Sequence, residues 1–145
     1  MSTDPLDPEL QAAWDYARDY YKDERVLATF EPLARHNPGA FIGYMTLRRG
    51  IFTAPPDGAL SLKTKELVIL AIECALKKTN PPPLGHTRRA VAAGATVAEI
   101  AEVVSISIMI AGMLTYQESG RFVLDEAERL TQPGAPELAP SGGTR

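Results

Sequence analysis

Residues typical of helix starts and helix ends occur at short intervals along the sequence. Asp7 and Asn37 are each followed by a proline, which gives a capping side chain and then a residue suited to the first helical position. Thr96 and Glu99 have the spacing of a capping box, and Gly94 just before them suits the left-handed residue that follows a helix. Signals of this kind predict a chain of short helices.

Apolar residues recur between these signals at three- and four-residue spacing, as they do on one face of a helix. The pattern predicts an all-α protein, a helical bundle of about six or seven helices. The predicted helices cover residues 8–23, 24–35, 38–52, 61–76, 84–93 and 97–108, followed by a last helix that carries Tyr116, Phe122, Val123 and Leu130. The helix at 61–76 is apolar almost all round, which is typical of a helix buried on most sides or at a subunit contact.

The one clear break inside the chain is the segment 54–58, Ala-Pro-Pro-Asp-Gly. Because it is too short to be a linker of much reach, we expect one structural domain overall. Within it, residues 1–53 form an N-terminal helical arm and residues 58–131 form a helical domain. From residue 132 the composition changes to proline, glycine, alanine and serine, and we expect a disordered tail over 132–145.

Composition and charge argue against several classes of partner. The 145 residues carry a formal net charge of −3 and no block rich in lysine or arginine, so we expect neither nucleic acid nor a membrane surface as a partner. The longest apolar stretch, 103–114, is well short of the roughly 20 residues that span a bilayer. The sequence begins without the basic and apolar segments of a signal peptide, and its single cysteine, Cys74, suits a reducing compartment. We expect a cytoplasmic protein.

Two stretches of the sequence match a known pattern in their order and spacing. In residues 85–103, His86 opens a short helix that ends at a Gly-Ala-Thr break, and a helix rich in glutamate and isoleucine follows. Upstream, Glu66 leads into the central apolar run. Together these features, over roughly residues 58–128, resemble the carboxymuconolactone decarboxylase and alkylhydroperoxidase D superfamily. The resemblance implies an alkylhydroperoxidase D-like helical fold in which the glutamate of the central helix faces the histidine.

The sequence departs from the superfamily at its redox centre. The alkylhydroperoxidase branch has two cysteines seven and four residues before the histidine, and Thr79 and Pro82 stand at those positions here. Without a thiolate there is no nucleophile to attack a peroxide, and without a second thiol nothing resolves the product. Cys74 is no substitute, because in the middle of an apolar helix its pKa is expected to rise and its reactivity to fall. We therefore expect that the protein is not a peroxidase.

The decarboxylase branch lacks the cysteine pair and has a Gly-His at this point, which Gly85 and His86 resemble. The resemblance implies a cofactor-independent lyase that decarboxylates a small carboxylated lactone or related cyclic acid. In that reaction a donor must stabilise the enolate-like oxygen, and a positioned acid must protonate the carbon. His86 is the candidate acid, and Glu66 is the candidate partner that fixes its tautomer. Arg89, one helical turn after His86, is the candidate for binding the substrate carboxylate.

Two further residues are candidates for substrate binding. Glu73 lies within the apolar run, two turns from Glu66, where an unpaired charge is costly; it either lines the same cavity or pairs with a lysine or arginine. Tyr116 follows an apolar segment and could offer its hydroxyl to a substrate, although such a tyrosine commonly packs in the core with a solvated tip. The two histidines lie far apart without a ligand cluster, and the glycines are isolated, so we expect no metal site and no bound cofactor.

The same residues also permit other interpretations. His86 can simply cap or solvate a turn, Glu66 can stabilise its helix through the helix dipole, and the arginines can lie on a solvated face. The histidine and glutamate would equally suit an isomerase or hydrolase that moves a proton without losing CO2. A catalytically degenerate member would bind a small molecule as an oligomer. The family commonly forms trimers or hexamers, so we expect a homo-oligomer whose ligand is a small carboxylate.

Overall fold

The structure, a computed structural model, describes residues 7–79 and 83–138. Over these residues it contains seven α-helices and one π-helical segment but no strand. The α-helices are α1 (Pro8–Tyr21), α2 (Glu24–His36), α3 (Pro38–Ile51), α4 (Leu62–Ala75), α5 (Leu84–Ala92), α6 (Val97–Ala111) and α7 (Arg121–Thr131). The all-α prediction is confirmed. The predicted tail at 132–145 lies outside the described residues from residue 139 onward.

The side chains that predict the helix starts make the expected hydrogen bonds. Asp7 and Asn37 each accept a bond from a backbone N–H of the first turn, at 2.9 and 3.2 Å. Ser61 does the same for α4 at 3.1 Å. The capping box is complete, because the Glu99 N–H donates to Thr96 Oγ1 at 3.1 Å and the Thr96 N–H donates to Glu99 Oε2 at 2.9 Å. These bonds satisfy backbone donors that have no partner inside a helix.

Gly94 ends α5 with a tight reversal. Its φ is +91°, a left-handed value that disfavours residues with a Cβ atom. The Gly94 N–H donates to the Val91 carbonyl and the Ala95 N–H to the Ala90 carbonyl, both at 2.9 Å. This pair of bonds is the Schellman pattern, which closes the helix and starts the connection to α6.

The contacts divide the chain into two compact units, whose described parts are residues 7–53 and 54–138. In the first unit, α3 packs against both α1 and α2. The Phe41 ring is fully buried, and its centroid lies 4.5 Å from that of Trp14 and 5.9 Å from that of Phe30. One aromatic residue from each helix therefore meets at the centre of this unit.

In the second unit, α4 packs against α5 and α6, and α7 packs against the same two helices. The buried apolar side chains at its core are Leu70, Cys74, Ala90, Ala95, Ile100, Val104, Val123 and Ala127. Among the described residues, however, only one face of α4 is covered by other helices. Val68 and Ile72, on its other face, are 48% and 54% exposed. The even distribution of apolar residues around this helix is therefore not explained by burial among the described residues.

The predicted last helix is interrupted at its start. Tyr116–Gly120 forms a π-helical segment, which continues directly into α7. Gly120 is buried against α6, where a Cβ atom at this position would lie 2.6 Å from Val104 Cγ1. Since its φ of −59° is an ordinary helical value, the glycine is required by this close approach and not by its backbone conformation.

None of the helices in the described ranges is both long enough and apolar enough to cross a membrane.

Replacement of Gly120 by alanine tests the close approach of this segment to α6. We expect Gly120→Ala to lower the free energy of unfolding by about 1–3 kcal/mol, because Val104 has a short and stiff side chain that must shift. Gly43→Ala is the matched control. It adds a Cβ in the middle of α3 with no heavy atom within 4 Å, and should raise the free energy by about 0.5–1 kcal/mol. Urea unfolding followed by circular dichroism measures both, and equal effects would contradict the packing described.

Candidate active site

The candidate site is built on the first half of α4 and of α5. Glu66 shares one face of α4 with Leu70 and Cys74, one and two turns further on, and all three side chains are buried. This spacing turns the carboxylate toward the interior of the second unit. His86 is the third residue of α5 and Arg89 follows it by one turn, so both side chains leave the same face of that helix.

The structure brings Glu66, His86 and Arg89 together. Glu66 Oε2 lies 2.6 Å from His86 Nδ1, and Glu66 Oε1 accepts a hydrogen bond from Arg89 Nε at 3.1 Å. The carboxylate is 2% exposed, whereas the histidine and arginine side chains are each 19% exposed. A buried carboxylate is stable only when donors reach it, and here each of its oxygens has one from α5.

The geometry assigns the proton on His86. Nδ1 lies 2.6 Å from the carboxylate and also 2.9 Å from an amino group of Arg89, but it cannot donate to the first and accept from the second at once. At 2.6 Å an unprotonated Nδ1 would place its lone pair against the negative oxygen of Glu66, so we assign the proton to Nδ1. Arg89 then contributes its charge beside the pair, through its bond to Glu66.

This assignment determines which nitrogen of His86 can exchange protons with a ligand. In the neutral imidazole the lone pair is on Nε2, which makes no hydrogen bond to any described residue. With Nδ1 held by Glu66 and the side chain partly exposed, Nε2 has the arrangement of a general acid or base.

Arg88 points away from this cluster. Its Nε donates to Glu126 Oε1 on α7 at 2.7 Å, and Arg129 donates to both oxygens of the same carboxylate at 2.7 and 2.9 Å. The hydrogen bonds from Arg129, and after them those from Arg88, hold the pKa of the Glu126 carboxyl below its usual range despite its burial. Glu126 was not among the residues predicted from the sequence. The two adjacent arginines could have indicated a second acidic partner, because side chains of neighbouring residues on a helix point in different directions and contact different partners.

Glu73 and Tyr116 are not joined to the cluster by any hydrogen bond or ion pair among the described residues. Glu73 is half-buried, and its Oε2 is buried without a hydrogen bond in that part of the chain. Of the two alternatives for this residue, the ion pair with a lysine or arginine is not seen among the described residues. Tyr116 lies at the start of the π-helical segment and is 37% exposed. Their suggested roles in substrate binding stay predictions without a contact to support them.

The environment of Cys74 agrees with the expectation that it is unreactive. Its side chain is fully buried, and burial raises the pKa of the thiol, with the negative charge of Glu73 adding to the rise. A contact of 3.9 Å from the Ser119 hydroxyl opposes this shift and does not outweigh it. Of the two positions where cysteines occur in the peroxidase branch, Thr79 is described by the structure and Pro82 lies outside the described residues.

The fold and this cluster define an all-α bundle with a buried glutamate that holds a histidine. The model of the carboxymuconolactone decarboxylase family matches residues 38–122, and the chain belongs to this family. The match includes α3 of the first unit as well as the second unit as far as the start of α7.

A solved structure is similar to most of the chain. It is the crystal structure of a “putative carboxymuconolactone decarboxylase” from Burkholderia xenovorans LB400. The two chains are 26% identical with a TM-score of 0.67, and the match covers 82% of this chain and 88% of the other. No match was found among curated proteins.

The Glu126 cluster predicts how stability depends on pH. A carboxyl whose pKa is lowered in the folded state stabilises the fold at pH values above the ordinary pKa of glutamate. This contribution is lost as the pH falls through the lowered pKa. We expect Glu126→Gln to be less stable than the parent at neutral pH, with a difference that shrinks at acidic pH. Thermal unfolding between neutral and acidic pH measures this. Glu128→Gln, at an exposed position on the same helix, is the control, and a difference that is independent of pH would contradict the prediction.

Proposed function

We propose that this protein is a cofactor-independent acid–base lyase of the carboxymuconolactone decarboxylase type, acting on a small carboxylated lactone or related cyclic acid. One observation carries the proposal: Glu66 holds His86 by Nδ1 at 2.6 Å, while Nε2 makes no hydrogen bond to a described residue. A histidine that is oriented by a buried carboxylate and open at its other nitrogen is suited to transfer a proton at a defined position. Membership of the family supports the class of reaction.

The reaction would proceed as follows. The bond between the substrate carboxylate and the ring carbon breaks, CO2 leaves, and its electron pair is delocalised onto the lactone carbonyl as an enolate. Protonated His86 donates its Nε2 proton to the ring carbon, and Glu66 stabilises the imidazolium before this transfer through the bond to Nδ1. One proton from solvent then restores His86, so each turnover consumes one proton and releases one CO2.

Arg89 has a positioning role in this proposal. Its bond to Glu66 Oε1 holds the buried carboxylate that orients His86 and places a positive charge beside it. An amino group of the same guanidinium lies 2.9 Å from Nδ1, so a substrate carboxylate that contacts the imidazole would also lie within its field. In this proposal Arg89 therefore has two roles: it binds Glu66, and it contributes to binding the substrate carboxylate.

The same geometry supports a second candidate function. An isomerase or hydrolase that moves a proton on a small acid would need the same oriented histidine, and only the fate of the carboxylate would differ. A protein that has lost catalysis and only binds a small molecule would keep the cluster because it stabilises the fold. Measurement of CO2 alongside substrate loss separates these three possibilities.

We also propose that the protein forms a homo-oligomer based on a trimer. In the second unit, α4 and α6 pack against each other, and both leave large apolar side chains exposed. The most exposed are Met109 and Ile110, at 75% and 74%. An apolar surface of this kind is uncommon on a monomer and is typical of a surface that another chain covers. Contact with further copies would also explain why α4 is apolar on the face that the chain itself does not bury.

Replacement of His86 tests the catalytic proposal. With carboxymuconolactone and related lactone acids as substrates, we expect His86→Ala to lower the rate of CO2 release by about 10²–10⁴-fold, the usual contribution of a general acid. Glu66→Gln keeps the size of the side chain but removes its charge, and should also lower the rate. The control is His36→Ala, which removes the other histidine of the sequence at an exposed position. A turned-over substrate on which His86→Ala acts at the parent rate would refute the assignment, and loss of substrate without CO2 would favour the isomerase or hydrolase.

A pair of charged substitutions tests the oligomer. We expect the parent to scatter light as a trimer or a multiple of it at micromolar concentration, and the double variant Met109→Lys, Ile110→Glu to dissociate because charge is costly in an apolar interface. Leu47→Lys is the control, since this residue of α3 is also an exposed apolar side chain at 61%. A monomeric parent would refute the oligomer, and dissociation of the control alone would place the interface elsewhere.

A further inference from the structure

The first unit contains a buried arginine with no acidic partner. Arg48, on α3, is 7% exposed, and no ion pair in the described part of the chain includes it. One of its terminal nitrogens, Nη1, donates to the Tyr44 hydroxyl at 3.3 Å. The other, Nη2, and Nε are both buried and make no hydrogen bond there. A charge and two polar N–H groups without acceptors are costly in a protein interior.

Aromatic rings surround this guanidinium. Its central carbon lies 4.2 Å from the ring centroid of Tyr20, 4.6 Å from that of Phe52 and 4.9 Å from that of Tyr21. These cation–π contacts offset part of the cost of burying the charge. The neighbouring tyrosines also raise the pKa of Arg48 in spite of its burial, so the side chain stays charged. Rings attract the charge of the guanidinium, but they do not accept the two in-plane N–H bonds that a carboxylate would.

The two unsatisfied nitrogens are adjacent in the guanidinium plane. Nε and Nη2 form one edge of the group, and their N–H bonds point the same way. This edge is the one that takes both oxygens of a carboxylate in two parallel hydrogen bonds. Tyr44 is bound at Nη1, which leaves the Nε–Nη2 edge unchanged. The arrangement therefore matches a planar anion with two oxygens.

We propose that the Nε–Nη2 edge of Arg48 is a binding site for a small planar monocarboxylate with an aromatic or unsaturated ring. The carboxylate would accept both N–H bonds, and its ring would contact the aromatic side chains of Tyr20, Tyr21 and Phe52. A single anionic charge matches the single positive charge of Arg48. Because both nitrogens are buried, a ligand reaches them only when a neighbouring side chain moves; Tyr44, which is 40% exposed and bound at Nη1, is the candidate.

This inference is independent of the function proposed for His86. The residues that carry it lie on α1, α3 and the residue that follows α3, whereas Glu66, His86 and Arg89 lie on α4 and α5. A carboxylate could therefore bind at Arg48 whether or not the protein turns over a substrate.

Titration of the full chain with benzoate tests the site directly. The arginine Nε–H resonances of the 15N-labelled protein would be followed by NMR, after the Arg48 signal has been assigned by comparison with Arg48→Lys. We expect a saturable shift of the Arg48 signal with benzoate, a weaker response to acetate, and none to chloride at matched ionic strength. Absence of a saturable shift at Arg48 would overturn the proposal, and this readout needs only the folded parent protein.

Calorimetry on variants gives the second measurement. Arg48→Lys keeps the charge and loses the planar edge, so we expect benzoate binding to weaken by at least about tenfold, as for the loss of hydrogen bonds to a charged group. Arg49→Met is the matched control, because this next residue is an exposed arginine over the Tyr16 ring and its loss should leave binding unchanged. Binding that survives in Arg48→Lys, or that is lost in His86→Ala instead, would place the carboxylate elsewhere and refute the proposal.

Discussion

The buried carboxylate of Glu66 is the interaction on which the arrangement of the second unit depends. A charge that is 2% exposed is tolerated only when donors reach its oxygens, and the donors seen here, His86 and Arg89, are both on α5. This requirement restricts how α5 can be rotated against α4. It also holds the imidazole by Nδ1 and leaves Nε2 directed away from the carboxylate. The contact that stabilises the helix pair is therefore the same one that orients the proposed catalytic group.

The short helix α5 packs against α4 and α7 and is joined to both by ion pairs. Its nine residues carry two adjacent arginines that reach acids on different helices, Arg88 to Glu126 on α7 and Arg89 to Glu66 on α4. Successive side chains on a helix point about 100° apart, so two ion pairs on neighbouring residues hold it from two sides. The Schellman turn at Gly94 closes its other end. His86 sits between these restraints, and its orientation follows from them.

The sequence predicted the structure best where the cause of that structure is local. The helix starts at Asp7, Asn37 and Thr96 were predictable because a capping side chain acts within three residues of itself. The facing of Glu66 and His86 was implied by family resemblance. The π-helical segment at Tyr116–Gly120 was not predictable, because it accompanies the close approach of Gly120 to Val104 on another helix.

The sequence by itself determined the all-α character of the chain and the starts of several of its helices, since capping side chains and prolines act at short range. Only the tertiary structure decided which charges meet. Arg88 and Arg89 bind different acids, one oxygen of Glu73 has no hydrogen bond among the described residues, and Arg48 is buried among aromatic rings. Each of these features depends on side chains from distant parts of the chain. A helical pattern shows which residues share a face, but it does not show what that face will contact. For this reason the family could be recognised from the sequence, whereas the arrangement of its charged groups required the fold.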